Sequence, residues 1–263
     1  MTGPTTPAEL RDGDREITLT ATLAKLRQRL AHAAEAVGRK PADIELLPVT
    51  KFFPATDIAI LNRLGCHAFG ESRDQEAREK IDALAAQPSL LPPGTPARGI
   101  AWHMIGQVQR KKAKSVAAWA HTVHSVDTER IATALDSGAT AAIRSGARTG
   151  PLRVYVQLSL DGDTARGGVD IDDRAGVDAV CDHVAAADAL ELVGVMGVPP
   201  LEEDPDTAFA RLAEEHRRVR DRHPRAVGLS AGMSGDLEIA VKHGSTCVRV
   251  GSALLGQRPL TSP

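Results

Sequence analysis

Aromatic residues are nearly absent, with one Tyr, two Trp and four Phe in 263 residues. Modules that read single-stranded nucleic acid stack bases on aromatic platforms, so that function class loses its main support. Cysteine is as scarce. Cys66, Cys181 and Cys247 are odd in number, far apart and without Cys-x-x-Cys spacing. That disfavours a disulfide framework and a structural zinc site, and points to a reducing cytoplasm. An excess of one charge is missing too: 32 basic against 34 acidic residues leave −2, so no global field draws the chain to phosphate backbones or anionic membranes. No apolar run is long enough to span a bilayer, and MTGPTTPAELRDGDRE lacks the basic and apolar segments of a secretory signal.

What is present is alternation. Eight short β-branched or apolar runs, ELLPVTK, CHAFGE, AWHMIG, TVHSVD, LRVYVQLSL, LELVGVMGVP, AVGLSAG and CVRVGSALLG, are separated by stretches of helical periodicity. Strands that alternate with helices build a parallel sheet covered by helices, either open and doubly wound or closed into a barrel. Eight units in about 250 residues is the size of the barrel, and no Gly-x-Gly-x-x-Gly follows the first strand. The expectation is an α/β (β/α)8 TIM barrel with an extra N-terminal helix at roughly residues 18–37. Residues 1–17 read as a polar, flexible lead-in and 18–263 as one domain. PSLLPPGTPARG (88–99) reads as a long loop before the third strand.

Such barrels place their site at the C-terminal strand ends and often hold phosphate after strands 7 and 8. Lys51 ends the first strand. The late loops LSAGMSGD and VRVGSALLG offer the hydroxyls of Ser230, Ser234 and Ser252, glycines that let backbone N–H groups approach an anion, and a helix expected to start near Ser234. If Val248 and Val250 face the helices, Arg249 faces the barrel interior near its mouth. Closure makes the eighth strand the neighbour of the first, which brings Lys51 within one small ligand's length of these loops. A lysine in a partly apolar pocket beside an arginine is a good amine nucleophile toward carbonyls. Lysine and phosphate loops together suggest a phosphorylated aldehyde, and pyridoxal 5'-phosphate (PLP) fits both ends. Taken singly, a lysine ending a strand is most often a solvated charge, and Gly/Ser loops are usually turns.

Other motifs carry less. His121 and His124, three apart in an apparent strand, should face opposite ways and share no metal. His216 and His223 lie in the arginine-rich EEHRRVRDRHPR, read as a solvated helical face. QRKKAK reads as a surface. His103 is expected near the barrel mouth, bordering the ligand or packed. No Ser-His-Asp, His-Glu-x-x-His or paired-carboxylate pattern stands out, and no metal site is expected.

LLPVTK, FGESRDQEA, WHMIGQVQRKKAK, HSVD, GVMGVPP and LSAGMSGDLEIAVKHGSTCVRVGSALLG together resemble, over roughly residues 20–257, the pyridoxal phosphate homeostasis proteins, single-barrel relatives of the N-terminal domain of alanine racemase. The resemblance implies that Lys51 carries PLP as a Schiff base, with Ser230, Met233, Ser234, Arg249, Gly251 and Ser252 as cofactor-binding positions and Ser72 as a pocket border. Four departures from the family pattern are visible: Ser72 for Asn, Lys111 for Asn, Ala231 for Met and Ser252 for Thr. Alanine racemases take a second base, a tyrosine, from another domain; the single tyrosine here, Tyr155, lies early in the fifth strand. Without a placed second base the favoured reading is a protein that binds PLP and hands it over, consistent with what the resemblance implies. PLP-dependent apo-enzymes are the expected recipients, a monomer is expected over an oligomer, and composition argues against a nucleic-acid or membrane partner. A small PLP-dependent amino-acid racemase and a Schiff-base aldolase acting on a phosphosugar stay open as alternatives.

Overall fold

A computed structural model describes residues 12–257. The chain opens with helix α1 (Asp12–Ala36) and then alternates β1 (Glu45–Pro48), α2 (Ala55–Arg63), β2 (Ala68–Glu71), α3 (Asp74–Ala86), β3 (Ala101–Met104), α4 (Ala113–Trp119), β4 (Thr122–Val126) and α5 (Glu129–Arg144). The second half runs β5 (Leu152–Ser159), the two-residue β6 (Val169–Asp170), α6 (Arg174–Ala186), β7 (Leu190–Val198), α7 (Pro205–Arg222), β8 (Gly228–Ser230), α8 (Leu237–Lys242), β9 (Cys247–Val250) and α9 (Ser252–Leu255). Residues 12–17, read from sequence as lead-in, form the first turns of α1; the rest of that lead-in lies outside the described residues.

All strand pairs are parallel, in the order β1-β9-β8-β7-β5-β4-β3-β2, with β6 appended to β5. A bridge between Val49 and Gly70, with the Thr50 amide donating to the Gly70 carbonyl at 3.0 Å, joins β1 to β2 and closes the ring. The chain is a single-domain (β/α)8 barrel of eight parallel strands. β6 is the one strand that apolar patterning did not foreshadow, being two residues long.

Alternation sorts each strand's side chains. Val154, Val156 and Leu158 of β5 join the core shared with the helices, while Tyr155 between them packs with Val193 and Met196. In β9, Val248 and Val250 meet Leu19, Leu23, Leu26 and Leu30 of α1. Those leucines recur at helical spacing and give α1 one apolar face, each burial contributing about 2 kcal/mol. Polar contacts then tie α1 to the late loops: Thr22 donates to the Leu254 carbonyl at 2.9 Å, Arg15 to that of Leu255 at 3.1 Å and Arg29 to that of Ser234 at 3.3 Å.

Candidate functional site

Parallel pairing decides which residues meet at the mouth. β1 and β9 run in register, Leu47 beside Arg249 and Pro48 beside Val250. The Val49 amide extends the ladder by donating to the Val250 carbonyl at 2.9 Å. Lys51, half-buried, stands two residues further, level with the turn into α9. A Cβ on Gly251 would lie 3.6 Å from the Val49 carbonyl oxygen, so the two chain segments touch there. On the other side of β9 the Ala231 amide donates to the Cys247 carbonyl and the Arg249 amide to the Gly232 carbonyl. Lys51, the loop at 233–236 and the turn at 251–253 therefore share one sector of the rim.

The helix expected to start near Ser234 starts at Leu237 instead. Met233 donates its amide to Asp236 Oδ1 at 2.5 Å, and this Asp-closed turn occupies the residues the helix would have used. Gly232, at φ 89°, turns the chain into it. Ser234 Oγ accepts from the Ala253 amide at 3.3 Å, linking the two loops. Among the described residues, the amides of Ser234, Gly235 and Ser252 have no hydrogen-bond acceptor. Met233 is 38 % exposed at the edge of this sector, and Ser72 follows the C-terminal end of β2 on the same rim, its backbone packed on Gly106.

Arg249 is 5 % exposed and faces inward, as the valine alternation requires. It donates to Ser230 Oγ at 2.5 Å and to the Gly197 carbonyl at 3.0 Å. Among the described residues no carboxylate stands within ion-pair distance of it. Burial pushes its guanidinium below the ordinary value, while Cys247, Asp236 and Tyr155 pull the other way.

Ser230 and His103 differ in setting from what the sequence suggested. Ser230 is 0 % exposed; its hydroxyl lies under Arg249 inside the barrel, at 2.9 Å from His124 Nδ1. His103 is buried in the interior and not at the mouth, because its strand pairs it with Gly70 and Thr122, below the rim. Its Nδ1 lies 2.9 Å from His124 Nε2, and its Nε2 lies 4.0 Å from Glu45 Oε1 at the start of β1. A guanidinium can only donate, so the network assigns the protons: Ser230 gives its own to His124 Nδ1, and His124 gives its Nε2 proton to His103 Nδ1. Both imidazoles are neutral. Burial, then repulsion from His121 and Arg153, pushes His103 down to about 3, and burial and His103 hold His124 well below its usual value.

Two further expectations need correction. His121 precedes β4, so strand alternation does not govern it, and its ring stacks on His103 at 5.9 Å while His124 approaches the same ring at 5.1 Å. Even so, no group of three metal-ligating side chains occurs among the described residues. In EEHRRVRDRHPR, Glu215 and His216 are buried, because Arg218 covers the carboxylate and the Ala226 carbonyl meets the imidazole at 3.0 Å. A cleft of about 900 Å³ opens at the opposite end of the strands, beside Arg98, Trp119, His121 and Arg148, and contains none of the candidate site residues.

Sequence reading also missed the groups around Lys51: Lys80 and Glu76, four apart on α3, look like an ordinary surface ion pair, and nothing in the sequence pairs them with Glu71.

A closed parallel barrel whose rim combines a lysine after the first strand, glycine and serine loops after the last two, and a buried arginine defines a class of barrel proteins, and comparison with known proteins agrees. The family model for the alanine racemase N-terminal domain matches residues 21–259. The chain is 59 % identical over 253 residues to the pyridoxal phosphate homeostasis protein of Mycobacterium tuberculosis, covering 95 % of this chain and 96 % of that one. PipY of Synechococcus elongatus PCC7942, solved with PLP bound, superposes with a TM-score of 0.72 at 27 % identity, over 90 % of this chain and 100 % of PipY. Alanine racemase of Corynebacterium glutamicum shares the fold at 16 % identity and TM-score 0.61, the match covering 91 % of this chain and 61 % of the racemase. The chain belongs to the pyridoxal phosphate homeostasis protein family.

Proposed function

We propose that the chain binds PLP at this rim, held by Lys51 through a Schiff base, and keeps or delivers the cofactor inside the cell. The observation that carries the reading is Arg249. A buried guanidinium without a carboxylate partner is costly, and an acceptor-rich ligand above it relieves that cost. The donors fit the cofactor's two ends. Amides of Ser234, Gly235 and Ser252, with the hydroxyls of Ser234 and Ser252, suit a phosphate, and the Lys51 amine suits an aldehyde. When bound, PLP supplies an aldehyde and an electron-withdrawing ring. Ser230 serves the same site from below, as the acceptor that holds Arg249. Met233 and Gly251 shape the loops, and Ser72 borders them.

PipY, similar in sequence and fold, is known with PLP bound, which supports the assignment. Carriage is favoured over racemisation because a racemase needs a second acid/base opposite the lysine. The Tyr155 side chain is buried with Val193 and Met196, and its ring stacks on His124 at 4.5 Å inside the barrel. The three thiols are free and buried, in keeping with a cytoplasmic protein, and among the described residues no helix is long and apolar enough to cross a membrane. PLP-dependent apo-enzymes are the proposed recipients, and a monomer the proposed state.

The test is the absorbance spectrum of the purified protein with PLP before and after borohydride, followed by peptide mass mapping. The reduced adduct is expected on Lys51 and absent in Lys51→Ala. An adduct that persists in Lys51→Ala would sink the assignment.

A further inference from the structure

Behind the barrel wall, between β2 and α3, two buried charged side chains, Glu71 and Lys80, and the half-buried Glu76 pack against the turn that carries Lys51. We propose that Lys80, Glu71 and Glu76 act together as a clamp that fixes the backbone on both sides of Lys51 and so positions its amine. This rests on the reading of Lys51 as the cofactor lysine.

The contacts converge on the turn. Lys80 is 7 % exposed and Glu71 0 %. The Lys80 ammonium donates to the Thr50 carbonyl at 2.8 Å, to Glu71 Oε1 at 2.8 Å and to Glu76 Oε1 at 2.7 Å, which uses all three of its protons. The Thr50 hydroxyl donates to Glu71 Oε1 at 2.6 Å, and the Phe52 amide to Glu76 Oε1 at 2.5 Å. The Phe53 amide closes back on the Thr50 carbonyl at 3.0 Å. Thus the carbonyl and hydroxyl before Lys51 and the amide after it are all gripped by one ionic cluster.

The turn so held is strained. Phe52 has φ 71°, the one non-glycine residue with positive φ among those described. That left-handed conformation is sterically strained for a bulky residue with a Cβ. The Arg73 guanidinium stands 5.5 Å from the Phe52 ring centre and covers it from outside. A cluster serving stability alone is poorly made here: Glu71 Oε2 is buried without a partner, burial pushes the Glu71 carboxyl above its usual range, and apolar packing between β2 and α3 would avoid the desolvation of the Glu71 and Lys80 charges. What the charges supply is direction, two anchored points one residue either side of Lys51.

The clamp predicts a split between two substitutions at one position. Glu76→Gln keeps a carbonyl oxygen for the Phe52 amide, and Glu76→Ala does not. In cofactor-free protein, amide hydrogen exchange at Phe52 is expected to quicken at least about tenfold in Glu76→Ala, the loss of one hydrogen bond to a charged group, and to stay within about threefold in Glu76→Gln. With PLP added, the dissociation constant is expected to rise about tenfold or more in Glu76→Ala alone. Because Lys80→Met leaves Glu71 buried and unpaired, the double variant Lys80→Met/Glu71→Gln is the second probe, expected to weaken PLP binding likewise. Equal behaviour of the Ala and Gln variants, or wild-type exchange and affinity in Glu76→Ala, overturns the clamp. Wild-type protein that traps no PLP on Lys51 overturns the cofactor reading instead, while the exchange arm, run without cofactor, still judges the turn.

Discussion

Arg249 donates to Ser230 Oγ at 2.5 Å, and both side chains lie inside the barrel. The serine therefore holds the arginine from beneath, and His124 in turn holds the serine at 2.9 Å. Ser230→Ala would leave one guanidinium proton and the His124 Nδ1 acceptor unpaired in a dry interior, costing about 1–3 kcal/mol. Denaturant unfolding should show that loss. PLP affinity should fall less than in Arg249→Met, and a larger affinity loss from Ser230→Ala would mean that the serine meets the ligand directly.

Arg249→Met removes a buried charge and two hydrogen bonds whose acceptors, Ser230 Oγ and the Gly197 carbonyl, stay behind. The two effects on folding oppose each other, so the melting temperature should move by no more than about 4 °C, near 1 kcal/mol for a domain of this size. PLP binding should weaken at least about tenfold, since an ion-assisted hydrogen bond contributes about 1.5–3 kcal/mol. Titration of PLP absorbance against both proteins decides it, and unchanged affinity would remove Arg249 from the site.

Acid should destabilise the fold before the ordinary carboxylate range is reached. The unfolded chain's histidines take up protons near pH 6.5, whereas His103, pushed down to about 3 by burial, refuses one in the barrel. With the folded value depressed, stability is lost as pH falls between about 6.5 and 3, at about 1.4 kcal/mol per pH unit for this group. From pH 7 to pH 5 His103 alone costs about 2 kcal/mol, and His124, also shifted down, acts in the same direction. Glu45 and Glu71, raised by burial, act oppositely. Urea unfolding at the two pH values measures the sum, and equal stability at both would refute this account.

Gly232 turns β8 into the loop at 233–236 with φ 89°, and a Cβ there would come within 2.5 Å of the Ala240 Cβ. Gly232→Ala combines backbone strain with a clash against α8, so a loss of about 2–3 kcal/mol is expected. Since Arg249 donates its amide to the Gly232 carbonyl at 2.9 Å, PLP affinity should fall with it. Thermal unfolding and PLP titration of the same sample check both effects.

Much of this was legible in the sequence because it depends on period and order. The eight apolar runs coincide with the eight barrel strands, and the flanking valines correctly turned Arg249 inward. Ring closure, the step that brought Lys51 beside Gly251, was expected from the count of eight strand–helix units together with the lack of a Gly-x-Gly-x-x-Gly after the first strand. The start of α8 was not legible, because an Asp-closed turn and a helix cap use the same residue types. Nor was the depth of His103, since alternation tells the face of a strand but not the height along it.

The sequence by itself determined a barrel, the phase of each strand, and the segments that meet at its rim, all consequences of side-chain periodicity and parallel closure. Only the tertiary structure decided what each polar side chain touches once it is there. Ser230 became a support for Arg249, His121 and His124 converged on His103, and Lys80 with Glu71 and Glu76 closed around the turn of Lys51. These are contacts between residues distant in the chain, or between strand and helix layers, and their partners are set by packing in three dimensions, which no local pattern encodes.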